Sequence, residues 1–363
     1  VSDSSVNPAM TPEGLSQRAA ADARSSIHDA NKALIAQLRA AFMACDAVRL
    51  QQAIFALFAP DAKIRLGHPF QDVAGPEDLW ERVYAPLLRA MPDMERRDFI
   101  VMAGPRWGEG KSGNWVGLGG NLVGTLVQSW LGIPAAGAAV FMRYQEYLRI
   151  EGGRVVEMEG LWDIPQVMLQ AGAWPMAPQL GVEWMCPGPV DGMGVITAPF
   201  DAALADASVR RVWDMLHDLK QGTAVSPGHG LTGYWHDHAL WYGPTGLGTA
   251  RGHDAIANRI FRQFREGLSE NTRHLDESVF FGDRNFVAFT GWPSATALHS
   301  GDGFLGLAPT GRRITRRSLD FWRIENGRVR ECWVMVDMLD LYRQLGVDVF
   351  ARMAALTDTK EAA

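Results

Sequence analysis

The string RIEGGRVVE at Arg149–Glu157 returns as RIENGRVRE at Arg323–Glu331, 174 residues later and close to half of the 363-residue chain. The offset continues downstream. Asp163 falls on Asp337, Gln170 on Gln344 and Gly172 on Gly346, and ten of the 24 positions in 149–172 are identical to their counterparts in 323–346. Upstream, LGIPAAG (131–137) falls on LGLAPTG (305–311) and Arg143 on Arg317. Farther back the offset drifts, as short insertions require: Asn114-Trp115-Val116 matches Asn285-Phe286-Val287, and Gly75 matches Gly252. A period this long excludes a solenoid or a propeller blade, whose units run to roughly 20–50 residues. It leaves a duplicated domain, each copy near the commonest domain size.

Within each copy the periodicity changes from helical to strand-like. Ser26–Phe58 carries apolar residues at helical spacing, and Asp78–Leu88 is a short amphipathic helix opened by Pro76 and Glu77. Strands are expected over 99–103, 114–118, 138–150 and 154–162, the last two joined by a hairpin turn at Glu151-Gly152-Gly153. The second copy repeats the order: helix 209–220, a strand near 238–242, helix 254–266, then strands 278–281, 286–292, 313–324 and 328–336, with a turn at Glu325-Asn326-Gly327. Helices first and a long strand meander afterwards predict an α+β fold, two tandem curved and mostly antiparallel sheets wrapped on N-terminal helices. The expected boundaries are a mobile or loosely helical segment 1–25, a first domain 26–172, a Pro/Gly/Trp-rich linker 173–205 that packs on a domain, a second domain 206–355 and a tail 356–363.

Composition removes several function classes. The net charge is −6 and no Lys/Arg cluster interleaves with aromatics, so nucleic acid is not an expected partner. The longest apolar run, 131–142, is too short for a bilayer, so no membrane partner is expected. The start lacks a signal-peptide pattern. Three widely spaced cysteines predict no disulfide framework and a reducing, cytoplasmic setting. Thirteen Trp residues point either to an aromatic-lined cavity or to plain core packing.

The second copy resembles the SnoaL-like polyketide cyclases of the nuclear-transport-factor-two-like cone fold. The resemblance is carried by GYWHDHALWYGP (233–244), ARGHDAI (250–256), HSGDGFLGLAPTGRRI (299–314), RIENGRVREC (323–332), Trp333, Asp337 and QLG (344–346). The first copy matches more weakly over 40–172; it has Thr125 in place of His299 and Glu159 in place of Trp333. Where the family commonly has a His after the Glu of the closing strand, this chain has Cys332. The resemblance implies cone-shaped barrels with a deep pocket, no metal and no organic cofactor. The family's chemistries include aldol cyclisation of aromatic polyketides and aldehyde-releasing cleavage of diaryl compounds, and fold alone does not choose among them.

Several side chains are candidates for this chemistry. Asp337 ends the apolar strand CWVMVD, and alternation sets Trp333, Met335 and Asp337 on one face. A carboxylate beside Trp and Met is desolvated, which raises its pKa and makes it a better base near neutral pH. The alternative is a helix N-cap for MLDLYRQLG; the resemblance favours the base. His299, before a glycine-rich loop, is the candidate proton partner, or a surface histidine. His236 and His238 are two apart and share a strand face, which suits a proton relay or substrate hydrogen bonding; no third metal ligand and no HExxH accompany them. Trp241, Tyr242, Trp292 and Trp333 form an aromatic wall or pack in the core. Arg317, counterpart of Arg143, could hold a developing enolate or phenolate, or else pair with Glu331 or Asp320. In the first copy the candidates are Asp163, Glu159, Tyr144, Arg143 and His68, with Glu146 and Arg65 beside them. Glu159 and Asp163 stand roughly 13 Å apart by strand rise, too far for a paired-carboxylate mechanism. Seven of the nine histidines follow residue 200, which favours the second copy as the site. GLGGNLVG (117–124) has no helix opening after it and is discounted as a phosphate loop.

The reading that results is a cofactor-independent enzyme with acid–base chemistry on a hydrophobic aromatic small molecule, making or breaking a C–C bond. The alternative is a non-catalytic binding or assembly module of the same fold. The chain is expected to be a homo-oligomer, or a monomer whose two domains act as a pseudo-dimer with the second one catalytic.

Overall fold

A computed structural model of the protein describes residues 12–220 and 232–361. The first half forms a six-stranded sheet from β1 (Phe58–Leu66), β2 (Asp72–Ala74), β3 (Glu95–Pro105), β4 (Asn114–Thr125), β5 (Ala139–Glu151) and β6 (Arg154–Trp162), in the order β2-β1-β6-β5-β4-β3. All neighbours are antiparallel except β1 and β6. The second half repeats the plan with β7 (Trp235–Tyr242), β8 (Thr249–Arg251), β9 (Leu268–Arg273), β10 (Val279–Asp283), β11 (Phe286–His299), β12 (Arg313–Glu325) and β13 (Arg328–Val336). Its order is β8-β7-β13-β12-β11-β10, β7 and β13 are again the parallel pair, and β9 adds to the far end of β11. The two closing hairpins turn alike. Gly152 and Gly153 in one, and Asn326 and Gly327 in the other, all have positive φ, the conformation that a two-residue turn between twisted strands demands.

Helices α1 (Pro12–Met43) and α2 (Ala47–Leu57) precede the first sheet. A run through α3 (Gly75–Leu79), a π turn at Trp80–Tyr84 and α4 (Ala85–Ala90) follows β2, and α5 (Ile164–Gln170) follows β6. Their counterparts are α6 (Ala202–Lys220), the run α7 (His253–Ala255), π turn Ile256–Phe261 and α8 (Arg262–Gly267), then α9 (Met338–Gln344). A last helix, α10, spans Val349–Glu361. Among the described residues no helix is long and apolar enough to cross a membrane.

Several elements differ from the sequence expectation. The single helix expected over 26–58 is broken at Cys45, whose φ is positive; Asp46 then caps α2 by accepting from Val48 N and Arg49 N. Phe58 opens a strand, β1, whose alternation is obscured by Pro60 and by a bulge between Phe58 and Lys63. β9 is mostly exposed and polar, so it carries no period-two signal. β11 continues past Trp292 to His299 because pairing with β12 resumes at Ala295 after a bulge. Of the segment expected to be mobile, residues 1–11 lie outside the described residues and 12–25 belong to α1. The expected tail is helical as far as Glu361.

The halves pack sheet face to sheet face, and their contacts are reciprocal, as a pseudo-twofold axis requires. Asp163 accepts from Thr245 N (2.9 Å) and meets Arg143 Nη2 (3.3 Å). Asp337 accepts from His68 N (3.0 Å) and meets Arg317 Nη1 (3.4 Å). His68 and Thr245 are 177 residues apart, the offset of Gly75 and Gly252. Tyr147 and Phe321, a pair related by the 174-residue offset, touch edge to face at 5.0 Å. Around them Trp115, Phe281, Tyr242 and Trp333 make a second hydrophobic core, joined by Cys186 and Ile196 of the linker. The linker is held there by Asn121 Nδ2 donating to Cys186 O and Trp333 Nε1 donating to Pro187 O.

This packing gives the glycine run at 117–124 a structural role. A Cβ on Gly117 would stand 2.8 Å from the Phe321 ring and one on Gly119 3.0 Å, so β4 admits the second half only where side chains are missing. Gly117→Val is expected to cost about 1–3 kcal/mol through overpacking. Thermal unfolding checks this, and an unchanged Tm would mean that the halves do not meet along β4.

Candidate functional site

Alternation in β12 and β13 separates two faces. Leu319, Phe321, Trp333 and Met335 turn to the interface, while Arg316, Ser318, Asp320, Trp322, Cys332, Val334 and Val336 turn into the second cone. There they line a cavity of about 520 Å³, within the range of small-molecule sites. Trp235, Trp241, Phe261, Phe264 and Phe289 supply much of its apolar wall, and Met215, Leu216 and Leu219 of α6 cover it.

The polar groups in this cavity are few. Asp320 is buried, and its Oδ1 has no hydrogen-bond partner among the described residues. Burial pushes its carboxyl up to about 8, against the pull of Arg316 and Arg273. The strand beneath it is fixed from the other half, because Tyr147 OH donates to Asp320 O at 2.6 Å. Arg316 stacks over Phe264 at 5.6 Å, and its Nε reaches Ser294 Oγ at 3.5 Å. A carboxyl that changes charge near neutral pH, in an apolar cavity with cationic neighbours, can take a proton from carbon or oxygen and return it.

Of the candidate catalytic and binding residues named from sequence, Trp241 lines this cavity and the others do not. Asp337 lies on the opposite face, where its side chain accepts from Asp340 N at 3.1 Å and caps α9. Burial and Asp340 push its carboxyl up to about 6. The alternation argument grouped Asp337 correctly with Trp333 and Met335, but that face meets the other half of the chain. Asp337→Ala is therefore expected to cost about 1–3 kcal/mol of stability through the lost cap and the unpaired His68 N–H. Turnover per folded molecule should be unchanged; a loss of turnover at unchanged Tm would return Asp337 to the chemistry.

His299 is fully buried outside the cavity, its Nδ1 3.0 Å from Thr310 Oγ1 and its pKa lowered by burial. His236 and His238 do share a face, with His238 N donating to His236 Nδ1 at 3.1 Å, but it is the outward face. Tyr242 stacks on Trp333 at 5.3 Å within the interface. Trp292 lines a polar cleft of about 370 Å³ between the halves, with Arg317 stacked over it at 5.1 Å. Arg317 bonds Gln71 Oε1 and Asp337, and neither Glu331 nor Asp320: Asp320 is three residues along the strand and points the other way, and Glu331 pairs with Arg323 at 2.7 Å. The aromatic wall proposed from four residues is thus one cavity residue, Trp241, and three that pack between the halves.

The first-copy candidates are held in structural networks. Arg143 donates to the Tyr242 and Gly243 carbonyls besides meeting Asp163. Glu159 pairs with Arg65 at 2.7 Å and accepts from Thr290 Oγ1 in the polar cleft. His68 is partly buried, its Nδ1 3.3 Å from Gln71 Nε2. Tyr144 donates to Asp98 inside the first cone. That cone is filled by side chains: Arg96 pairs with Asp98 (3.1 Å) and Glu146 (2.8 Å), and Glu146 also accepts from Trp162 Nε1 (2.9 Å) and Tyr84 OH (3.3 Å). Glu146 is the repeat counterpart of Asp320. Among the described residues no group of three His, Cys, Asp or Glu side chains is placed to hold a metal ion.

Sequence reasoning gave Asp320 only as a possible partner for Arg317 and passed over Arg273 and Arg316. A usable signal lay in Cys332, the position at which the family resemblance implies a His. Its register partner across the hairpin is Trp322, so the face to follow was Cys332, Trp322 and then Asp320.

Residues 229–345 match the family model described as SnoaL-like polyketide cyclase. Similar solved structures include AclR from Streptomyces galilaeus, 22% identical over 39% of this chain and 95% of its own, with a TM-score of 0.32. IdmH from Streptomyces antibioticus is 24% identical over 39% and 98%, with a TM-score of 0.32. An NTF2-like protein from Burkholderia xenovorans is 19% identical over 39% and 97%, with a TM-score of 0.31. A comparison with curated proteins finds no match. The SnoaL-like polyketide cyclase match thus falls on the second half of the chain, and the chain as a whole is a tandem pair of α+β cones.

Proposed function

We propose that the second cone is an acid–base active site for C–C bond chemistry on an aromatic small molecule, with Asp320 as the proton-transferring group. The observation that carries this is a buried carboxyl whose Oδ1 has no hydrogen-bond partner among the described residues, in an apolar, aromatic-lined cavity of small-molecule size. In the ring-closing direction, ionised Asp320 removes a proton from the carbon next to a carbonyl. The enolate carbon then attacks a second carbonyl of the same molecule, and the new alkoxide takes the proton back from the carboxylic acid. The reverse sequence cleaves the bond and releases an aldehyde or ketone. The raised pKa serves both halves of the cycle, making the carboxylate a stronger base and keeping the acid form available near neutral pH. No step in this cycle calls on an organic cofactor.

The first cone is proposed to be a non-catalytic partner that stands where a second subunit would. Its counterpart carboxyl, Glu146, is already committed to Arg96, Tyr84 and Trp162, and Tyr144 and Phe42 pack about the same guanidinium. The test of the whole reading is product formation from a panel of aromatic polyketones and diaryl β-hydroxy carbonyl compounds, followed by mass and compared between the protein and Asp320→Asn. Equal turnover by the two would remove the reading.

A further inference from the structure

The charges in the second-cone cavity do not balance. Among the described residues its walls carry Arg265, Arg273 and Arg316 against a single acid, Asp320. Among the described residues neither Arg273 nor Arg316 has a carboxylate within salt-bridge distance, and the one polar side-chain contact recorded for either is the long one from Arg316 to Ser294. The surplus is positive whether Asp320 is ionised or not. The first cone shows how this fold compensates a buried guanidinium when it is structural. Arg96 has two carboxylates, Asp98 and Glu146, within 3.1 Å. The second cone omits that compensation at Arg273 and Arg316, which are half-buried, and a partly desolvated cation without a counter-ion is costly.

The two arginines are also placed as a pair. Arg273 on β9 is in register with Ala295, and Ala295 with Arg316 on β12. Residues directly opposite share a sheet face, so both side chains rise from one row, with only the alanine methyl between them, on backbones roughly 10 Å apart. Asp320 lies on the same face of β12, four residues from Arg316 and roughly 13 Å along the strand. The span between the guanidinium pair and the carboxyl is that of an aromatic ring with a short substituent.

We propose that the substrate bears a carboxylate, gripped between Arg273 and Arg316, at one end of an aromatic body whose reacting carbon reaches Asp320. The inference rests on the reading of this cavity as the substrate site and narrows it to aryl carboxylates. Guanidinium forks suit carboxylates because two parallel charge-assisted hydrogen bonds fix both position and orientation. In this geometry the arginines choose and orient the substrate, and Asp320 acts on it.

Binding of 2-naphthoate and of 2-naphthamide to the full chain, by titration calorimetry or quenching of tryptophan fluorescence, tests it without requiring turnover. The two probes share shape and differ in charge. The acid is expected to bind at least about tenfold more tightly, as a bidentate ionic contact implies. Arg316→Met and Arg273→Met should each bring the acid toward parity with the amide, and Arg316→Lys should keep part of the preference. Asp320→Asn should leave the preference intact, which separates this inference from the catalytic reading. Equal binding of acid and amide by the unaltered protein would overturn it, as would a preference that survives both Arg→Met changes, or failure of the acid to bind at about millimolar concentration. If Asp320→Asn abolishes turnover while no carboxylate preference exists, the acid–base reading stands and the anion grip falls.

Discussion

Asp320→Asn is expected to lower turnover by about 10²–10⁴, the usual worth of a positioned acid–base group, with little change in ligand affinity. The substitution preserves shape and removes the titrating proton. In the unaltered protein kcat/KM should rise with pH toward a limb near 8, where burial sets the Asp320 ionisation, because the base form starts the reaction. The limb should vanish in Asp320→Asn. A profile that keeps it would assign it to another group.

The same substitution should stabilise the fold. A carboxyl with a folded-state pKa raised above its unfolded value holds its proton in the native state and loses it in the unfolded state. Stability therefore falls as pH rises from about 4 to about 8, since over that window the native chain binds more protons than the unfolded one. Asp320→Asn removes this slope. Its stability should match that of the unaltered protein near pH 4 and exceed it increasingly toward pH 8, by an amount on the order of a few kcal/mol, which the Tm difference follows. A gain in stability beside a loss of rate is the mark of a residue retained for chemistry. A gap that closes as pH rises would contradict the burial argument.

The fold was legible from the chain because duplication leaves its record in the least ambiguous elements. The hairpins at 149–172 and 323–346 combine period-two alternation with turn residues that tolerate positive φ, and both features read directly. β1 and β9 were harder, since a bulge with Pro60 and an exposed polar surface hide the alternation that identifies a strand. The site was harder still. Period two groups residues by face but does not say which face meets the ligand, and in a two-domain chain both faces of a sheet can be buried. Trp333, Met335 and Asp337 have the apolar company expected of an active site, yet that company belongs to the interface core. Asp320 entered only as an ion-pair partner for Arg317, because in sequence a carboxylate near an arginine on one strand reads that way.

Arg96→Met is expected to destabilise the protein by about 3–5 kcal/mol and to leave turnover per folded molecule unchanged. Arg96 is 3% exposed and lies between Asp98 and Glu146 under the Tyr144 ring. Removing it strands buried Glu146 without a cation and leaves Asp98 to Arg39 alone, and breaking one partner out of such a network is among the costlier single changes. Replacing Glu146 by Gln in the same chain should recover much of the loss, because the stranded charge goes with the arginine while Asp98 keeps Arg39. The contrast with Arg316→Met makes the result diagnostic. Arg316 has no carboxylate to strand, so its loss should be neutral or stabilising for the fold and should appear in ligand binding. Opposite signs for two arginines lining equivalent cones would separate a cone closed by its own counter-ions from one left open for a substrate's. A loss of turnover in Arg96→Met at unchanged Tm would give the first cone a part in the chemistry and end the proposed division of labour.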